Sequence, residues 1–247
     1  MNLHILKTPD LLGREVAAKT ATLLNEAIAS KGSARLILST GASQFETLHH
    51  LRNSDVDWSK VEMFHLDEYI GVDSSHPASF VKYLKERFIM DMQLKKAHLI
   101  DGTADISQVI ADVTTELRKA PIDVALIGIG ENSHIAFNDP PADFDTKEAY
   151  ITVALDDDCK KQQIREGWFA TMDDVPKLAI TMSPWQIMQS KIIISAVPHS
   201  VKAKAVKATL ESELTNKIPA TMLKTHSDWT LYLDDASASL LKENKND

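Results

Sequence analysis

The residues best suited to proton transfer stand just after apolar runs of the chain. Asp67 and Glu68 follow the run Val61–Leu66, and His134 follows the run Asp123–Gly128. A carboxylate that is partly desolvated at such a position can have a raised pKa, and histidine exchanges protons near neutral pH. These segments therefore predict acid–base chemistry, with Asp67 as the base for a carbon-bound proton. A solvated acidic pair that only caps a loop is the alternative for Asp67 and Glu68.

The segment around His134 is rich in glycine and in polar side chains. Four polar residues share this loop with the histidine: Glu131, Asn132, Asn138 and Asp139. A neighbouring carboxylate can orient an imidazole and stabilise its charged form. A lone histidine is more often structural, but one among polar residues after an apolar strand favours a functional role.

Two further segments suit a small anion. One is a loop of small residues after the first apolar run: Thr40, Gly41, Ala42 and Ser43. Its glycine allows close backbone approach, and Ser43 with Glu46 predicts a capping box that starts a helix, where anions bind. The other is Lys202, which follows the run Lys191–Val197 and could direct its ammonium at the same anion. An ordinary turn and a surface lysine are the alternatives.

The order of apolar and amphipathic segments indicates which elements position these groups. Apolar runs predict strands at Arg35–Ser39, Val61–Leu66, Asp123–Gly128, Lys177–Met182, Lys191–Val197 and Trp229–Asp234, and helices are expected at 10–30, 43–52, 77–90, 105–119 and 201–212. Runs that are apolar almost throughout are typical of a parallel sheet covered on both faces. We therefore predict one α/β domain over 1–241, a Rossmann-like sandwich, with a disordered tail over 242–247. Its ligand crevice should lie at the carboxyl ends of the strands.

Composition narrows the class of protein. The 247 residues carry a formal net charge of -8, which argues against a general nucleic-acid surface. No run of the sequence is long and apolar enough for a membrane span, and the single cysteine allows no intramolecular disulfide. We expect a cytoplasmic protein. A metal site formed by His65, Asp67 and His134 is a weak alternative because these residues lack a recognised ligand spacing.

Taken together, these segments resemble the glucosamine-6-phosphate deaminase family. The resemblance rests on Leu38–Ser43, Phe64–Gly71, Gly128–Pro140, Val175–Thr181 and Lys202. It implies a Rossmann-like fold and conversion of glucosamine 6-phosphate and water to fructose 6-phosphate and ammonia, with no cofactor or metal. By position, it implies that Asp67 moves the proton between C2 and C1 and that His134 helps to open the sugar ring. The loop 40–43 and Lys202 would hold the phosphate, with Arg165 as an additional candidate.

The chain departs from the family pattern in the histidine loop. The family motif usually reads Gly-Asn-Asp-Gly-His with a later Glu, whereas this chain has neutral Asn132 before His134 and the shorter acid Asp139. Glu131 is a candidate to supply the missing charge. The alternatives are slow turnover or preference for another substrate, such as galactosamine 6-phosphate. The segment 141–148 also lacks the basic residues of members activated by N-acetylglucosamine 6-phosphate.

Two other functions compete with this interpretation. A 6-phosphogluconolactonase shares the fold, the phosphate loop and a strand-end histidine, but its motif typically reads Gly-His-Thr-Ala-Ser where this chain has Ser-His-Ile-Ala-Phe over 133–137. A sugar-phosphate-sensing regulator should carry a helix-turn-helix, for which no room remains before the first predicted strand. The partner that the resemblance implies is a small-molecule sugar phosphate. A homo-oligomer stays open, since an interface cannot be read from the sequence.

Overall fold

Ten strands form two sheets in the computed structural model, which describes residues 1–90 and 92–241. The strands are β1 (Asn2–Leu6), β2 (Ala34–Leu38), β3 (Val61–His65), β4 (Asp67–Tyr69), β5 (Lys96–His98), β6 (Val124–Leu126), β7 (Tyr150–Ala154), β8 (Leu178–Met182), β9 (Ile192–Val197) and β10 (Trp229–Asp234). Seven of them make the central sheet, in the order β1, β10, β9, β6, β2, β3 and β5. All its neighbouring strands run parallel. The predicted tail, 242–247, lies outside the described residues.

Helices cover both faces of the central sheet. They are α1 (Pro9–Lys31), α2 (Phe45–Arg52), α3 (Phe80–Leu84), α4 (Ile106–Leu117), α5 (Asp157–Arg165), α6 (Pro184–Ile187) and α7 (Ala203–Glu211). Thr8 caps the start of α1, and Gly32 ends it with a φ of 83°, a left-handed conformation that glycine adopts without a Cβ clash. Among the described helices, none combines the length and apolar character needed to cross a bilayer.

Two apolar layers lie on opposite faces of the central sheet, and a third cluster, which includes Tyr69, Phe80 and Phe137, packs beside the smaller sheet. Successive residues of one strand enter different layers: Leu36 of β2 packs with α1 and α2, whereas Ile37 packs in the layer that holds α4 and α7. This alternation explains why the strand is apolar throughout, because both of its faces are buried. The predicted Rossmann-like α/β sandwich is confirmed.

A smaller antiparallel sheet joins β4, β8 and β7. Only Leu66 separates β4 from β3, so the chain passes from the central sheet into the small one within one residue. The prediction that Lys177–Met182 belongs to the parallel sheet was wrong. This segment contains β8, which pairs antiparallel with β4 and β7. A short apolar run indicates burial but not the sheet to which the strand belongs.

The prediction of one helix over 77–90 was also inexact. Ser79 caps α3, and the chain then continues as a π-helical turn over Lys85–Ile89. Six elements were not predicted: β1, β4, β5, β7, α5 and α6. Of these, β1 is mostly exposed, β5 has three residues, and α5 is strongly polar.

Candidate active site

A pocket of about 530 Å³ opens at the carboxyl ends of the parallel strands. Loops after β2, β3, β6 and β9 all reach it, as expected for an open α/β sheet. Its polar lining residues include Ser39, Thr40, Ser43, Asp67, His134, Gln162, Gln163, Glu166 and Lys202. The fold thus brings together Asp67, His134, Lys202 and part of the predicted anion loop, although these segments are far apart in sequence.

Asp67 begins β4, where the chain leaves the central sheet. Its residue surface is 5% exposed, and no described side chain or backbone group donates a hydrogen bond to its carboxylate. Burial raises the pKa of Asp67 well above its usual range, and the neighbouring charge of Glu68 adds to the effect. A carboxylate in this setting is a stronger base than a solvated one.

Glu68 points away from Asp67 and accepts hydrogen bonds from the first residues of the adjacent helix, α3. Its carboxylate accepts hydrogen bonds from the backbone N–H groups of Tyr69 (2.9 Å), Phe80 (3.2 Å) and Val81 (2.8 Å), and from the Ser79 hydroxyl (2.8 Å). Burial raises the pKa of Glu68, although these hydrogen bonds act in the opposite direction. Of the acidic pair, only Asp67 lines the pocket.

His134 is held by a polar network rather than by a single partner. Its Nδ1 lies 3.1 Å from Asp139 Oδ1, a close contact in which the N–H does not point directly at the oxygen. Asn132 accepts from the His134 backbone N–H (3.1 Å) and donates to Asp139 (3.0 Å) and Asp156 (3.3 Å). Asn132 therefore fixes the position of the carboxylate that faces the histidine.

The charge of Asp139 is stabilised despite its burial. Burial alone would raise the pKa of Asp139, but His134, Asn132 and the backbone N–H of Asp156 together lower it. Asp139 therefore places a negative charge beside the imidazole. Such a charge stabilises a histidine that carries a proton. The loop also has backbone conformations that are rare without glycine, at Ser133 (φ 69°) and Ala136 (φ 52°).

Glu131 and Arg165 contact each other, whereas the sequence suggested that Glu131 would support His134 and that Arg165 would bind the phosphate. The Arg165 guanidinium forms an ion pair with the Glu131 carboxylate, and the Arg165 side chain is 54% exposed. Neither residue lines the pocket. The structure thus gives Glu131 a partner other than His134, and it leaves Arg165 outside the predicted anion site.

The loop after β2 is fixed from two sides. The Tyr83 hydroxyl donates to the Gly41 carbonyl (2.8 Å), and the Gln44 side chain donates to the Ala196 carbonyl of β9 (3.1 Å). Gly41 has a φ of 97°, which favours glycine. Within the described chain, the backbone N–H groups of Ala42 and Ser43 meet no protein acceptor, so they are available to an anion.

The predicted capping box of Ser43 and Glu46 does not form. The chain first makes a 3₁₀ helix, Ala42–Gln44, and α2 begins only at Phe45 without a side-chain cap. The Ser43 hydroxyl accepts a hydrogen bond from Gln44 instead (3.0 Å). Ala42 lies in this turn but does not line the pocket, whereas Thr40, Gly41 and Ser43 do.

Lys202 supplies the positive charge of the pocket. It ends the 3₁₀ helix Ser200–Lys202 and is 4% exposed, and its ammonium has no ion-pair or hydrogen-bond partner among the described residues. Burial lowers the pKa of Lys202, and the charges of Glu166 and Glu131 partly offset this effect. A buried ammonium without a partner is costly, so an anionic ligand in the pocket would relieve this cost.

Several pocket residues were missed from the sequence. Gln162, Gln163 and Glu166 lie on α5 or directly after it, and Phe80 and Phe137 supply apolar walls. The segment contains few apolar residues, so hydrophobic periodicity gives no helix signal there. Asp156, which caps the first turn by accepting from the Cys159 N–H, is the signal that could have identified α5.

Cys159 lies beside the histidine network. One imidazole nitrogen of His134, one carboxylate oxygen of Asp139 and the sulfur of Cys159 all lie within 4.8 Å of one another. Burial raises the pKa of the Cys159 thiol well above its usual range, with the nearby Asp139 and Asp156 contributing. The thiol is therefore neutral. His65, which the metal hypothesis groups with Asp67 and His134, is fully buried, and burial lowers its pKa to about 3.

Comparisons with known proteins agree with this geometry. Residues 7–232 match the protein family described as glucosamine-6-phosphate isomerases/6-phosphogluconolactonase. A Thermoanaerobacter glucosamine-6-phosphate deaminase is 33% identical over 237 residues, which cover 93% of this chain and 92% of that protein. A solved monomeric glucosamine-6-phosphate deaminase of the NagB superfamily is 29% identical, with a TM-score of 0.89 over 97% of this chain and all of that one.

A more distant structure has the same fold. A 6-phosphogluconolactonase from Shewanella baltica is 20% identical, with a TM-score of 0.77 over 95% of this chain and 97% of that one. At this identity the likeness concerns the fold alone. The match over residues 7–232 places the chain in the family of glucosamine-6-phosphate isomerases and 6-phosphogluconolactonases.

Proposed function

We propose that this protein is an isomerase-deaminase that converts glucosamine 6-phosphate and water to fructose 6-phosphate and ammonia. The observation that carries the proposal is the buried, unpaired carboxylate of Asp67 in one pocket with His134 and Lys202. An aldose–ketose isomerisation needs one base that reaches two neighbouring carbons, and lactone hydrolysis does not need such a base. The deaminases among the relatives support the same reaction.

The proposed roles follow from the environment of each side chain. His134, oriented by Asp139, protonates the ring oxygen as the sugar opens. Asp67 then removes the proton from C2 and delivers it to C1, while the aldehyde oxygen O1 gains the proton that the C2 nitrogen loses, and the desolvated setting of Asp67 favours the carbon-to-carbon transfer. Water adds to the resulting C2 imine, and ammonia leaves as the ketone forms. The atoms balance with one water consumed.

The phosphate is proposed to lie between Lys202 and the loop after β2. Free N–H groups of Ala42 and Ser43, with the ammonium of Lys202, form a donor set suited to an anion. Asn132, which places the carboxylate facing His134, is proposed as a positioning residue. Arg165 is not assigned to the phosphate, because Glu131 holds it outside the pocket.

A substrate panel tests this function. Wild-type protein should release ammonia and a ketose phosphate from glucosamine 6-phosphate, with galactosamine 6-phosphate and 6-phosphogluconolactone as competing substrates. Asp67→Asn should abolish most turnover while binding of the sugar phosphate stays measurable by calorimetry, since the amide cannot accept the carbon-bound proton. Faster acid release from the lactone than ammonia release from either amino sugar would reject the proposal.

A further inference from the structure

A carboxylate lines the end of the pocket where the phosphate is proposed to bind. Glu166 accepts hydrogen bonds from the side chains of Gln162 (2.7 Å) and Trp168 (3.0 Å). Its Oε2 lies 4.0 Å from the point that a Cβ on Gly41 would occupy. Two neutral donors therefore hold a carboxylate next to the anion loop.

The charges around Glu166 do not suit a doubly charged ligand. Lys202 is the buried cation that lines the pocket, and the charge of Glu166 acts on it. The other titratable groups of the surroundings are Tyr69, Tyr83, Glu46, Arg87, Glu131, Cys159 and Arg165, together with Asp67 and His134, which line the same pocket. The Arg87 guanidinium lies over the rings of Phe45 and Tyr83 and does not line the pocket. Arg165 is already paired with Glu131. A phosphate dianion would thus meet one ammonium and one carboxylate, and the carboxylate would repel it.

We propose that Glu166 makes the pocket select the singly protonated form of the phosphate ester, whose P–O–H donates to the Glu166 carboxylate. The inference rests on the proposed function, since it needs the phosphate to lie beside Lys202 and Gly41. A carboxylate accepts hydrogen bonds and cannot donate them, so a ligand oxygen at this point must carry a proton. Charge-assisted O–H···O⁻ hydrogen bonds are short and strong, which offsets the cost of keeping that proton.

This requirement has two measurable consequences. The second pKa of a phosphate monoester is about 6, so the monoanion becomes about tenfold scarcer with each pH unit above that value. Binding near about pH 7.5 must then take up close to one proton per ligand. A sulfate ester of the same sugar carries one negative charge but no proton, so the Glu166 carboxylate should exclude it.

Glucose 6-phosphate and glucose 6-sulfate are suitable probes, because neither contains an amino group to release. Titration calorimetry in two buffers of different ionisation enthalpy, between about pH 6 and about pH 8.5, gives affinity and proton uptake. For wild type we expect the phosphate affinity to fall about tenfold per pH unit above about pH 6.5, and sulfate to bind at least about tenfold more weakly than phosphate at about pH 6.

Glu166→Gln should remove both effects, because an amide can donate to a deprotonated oxygen. Its phosphate affinity should vary little with pH, its proton uptake should vanish, and glucose 6-sulfate should now bind. Asp157→Asn is the matched control: it removes the same charge on α5 from a side chain that is 76% exposed, and it should behave as wild type.

Three outcomes would overturn the inference. If proton uptake persists in Glu166→Gln, the proton is taken up by Lys202 and not by the ligand oxygen that faces Glu166. Wild-type binding that is independent of pH, or equal for the two esters, would reject it without any variant. If one of these outcomes is seen and wild type still converts glucosamine 6-phosphate, only the inference about Glu166 fails. If wild type neither binds glucose 6-phosphate nor converts glucosamine 6-phosphate, the proposed function fails as well.

Discussion

At the residue scale, the histidine loop depends on a glycine with no room for a side chain. A Cβ on Gly130 would overlap the His134 ring, which packs directly on the glycine backbone. Gly130→Ala should push the imidazole away from Asp139 and lower turnover by at least about 100-fold, since misplacing a catalytic group by about 1 Å can cost this much. Steady-state kinetics together with a thermal unfolding curve would measure both effects.

Gly128→Ala is the matched control for this variant. A Cβ there would lie 3.3 Å from the amide nitrogen of the Gln44 side chain, which would need to shift by only a few tenths of an ångström. We expect at least a tenfold smaller loss of turnover than for Gly130→Ala. Equal losses in the two variants would show that the loop, and not the position of His134, limits activity.

A second residue-scale prediction concerns Asn132, where the family usually has an acid. Restoring the acid should harm this protein. Asn132 donates to both Asp139 and Asp156, so Asn132→Asp would place three carboxylates together and remove two hydrogen bonds. Turnover and stability should both fall, the latter by roughly 2 kcal/mol or more, as for buried polar groups left unsatisfied.

A double-mutant cycle with Asp156→Asn tests this explanation. The second substitution removes one carboxylate and restores a donor, so it should recover part of the activity of Asn132→Asp while being harmful alone. The cycle is read from kcat and from the denaturation midpoint. If Asn132→Asp alone were as active as wild type, the contacts of Asn132 would not matter for His134.

At the scale of an element, α3 depends on one buried carboxylate. Glu68 accepts three hydrogen bonds from the start of this helix and a fourth from the Tyr69 N–H of β4, and an amide offers only one acceptor oxygen. Glu68→Gln should therefore lower the free energy of unfolding by roughly 2–3 kcal/mol, measured by urea denaturation. Glu86→Gln, at a side chain that is 59% exposed, is the control and should change stability by less than about 0.5 kcal/mol.

The same helix links stability to the pocket. α3 carries Phe80, which lines the pocket, and Tyr83, whose hydroxyl holds the Gly41 carbonyl. Glu68→Gln should consequently raise KM for the sugar phosphate more than it lowers kcat. An unchanged KM in a destabilised variant would show that the Gly41 loop does not rely on α3.

Elements also differ in how well the sequence predicts them. β2 and β9 are buried on both faces, so their continuous apolar runs marked them, and the strand ends correctly placed Asp67, His134 and Lys202 around one pocket. The sequence did not predict α5, because its residues are mostly polar, and Gln162 and Glu166 were therefore not identified as pocket residues. The hydrogen bonds of Asn132 depend on distances between loops, and these distances cannot be predicted from the periodicity of apolar residues in the sequence.

At the scale of the whole molecule, the proposed base reduces stability at neutral pH. Because burial raises the pKa of Asp67, the folded protein retains a proton that the unfolded chain has lost above about pH 4. This carboxyl therefore contributes its full stability below that pH, and the contribution declines as pH rises to the folded pKa. Asp67→Asn should be more stable than wild type at about pH 8, with the gain shrinking towards about pH 4.

Denaturant unfolding across this range would measure the difference, which should change by at most about 1.4 kcal/mol per pH unit. Asp139→Asn is a control of opposite sign. The pKa of Asp139 is lowered in the folded state, so that carboxylate stabilises above its unfolded pKa, and its loss should matter less as pH falls. A pH-independent difference for Asp67→Asn would contradict the raised pKa.

The one-residue passage from β3 into β4 also has a consequence for folding kinetics. β4 gains its sheet partner only when Asp67 meets Thr181 of β8, more than a hundred residues later in the chain. Contacts of such high sequence separation carry a large loop-closure entropy and form slowly. During refolding, helical circular dichroism should therefore recover before the proposed deaminase activity, because Asp67 is positioned only after β8 has docked. Simultaneous recovery would mean that β4 is held in place by β3 alone.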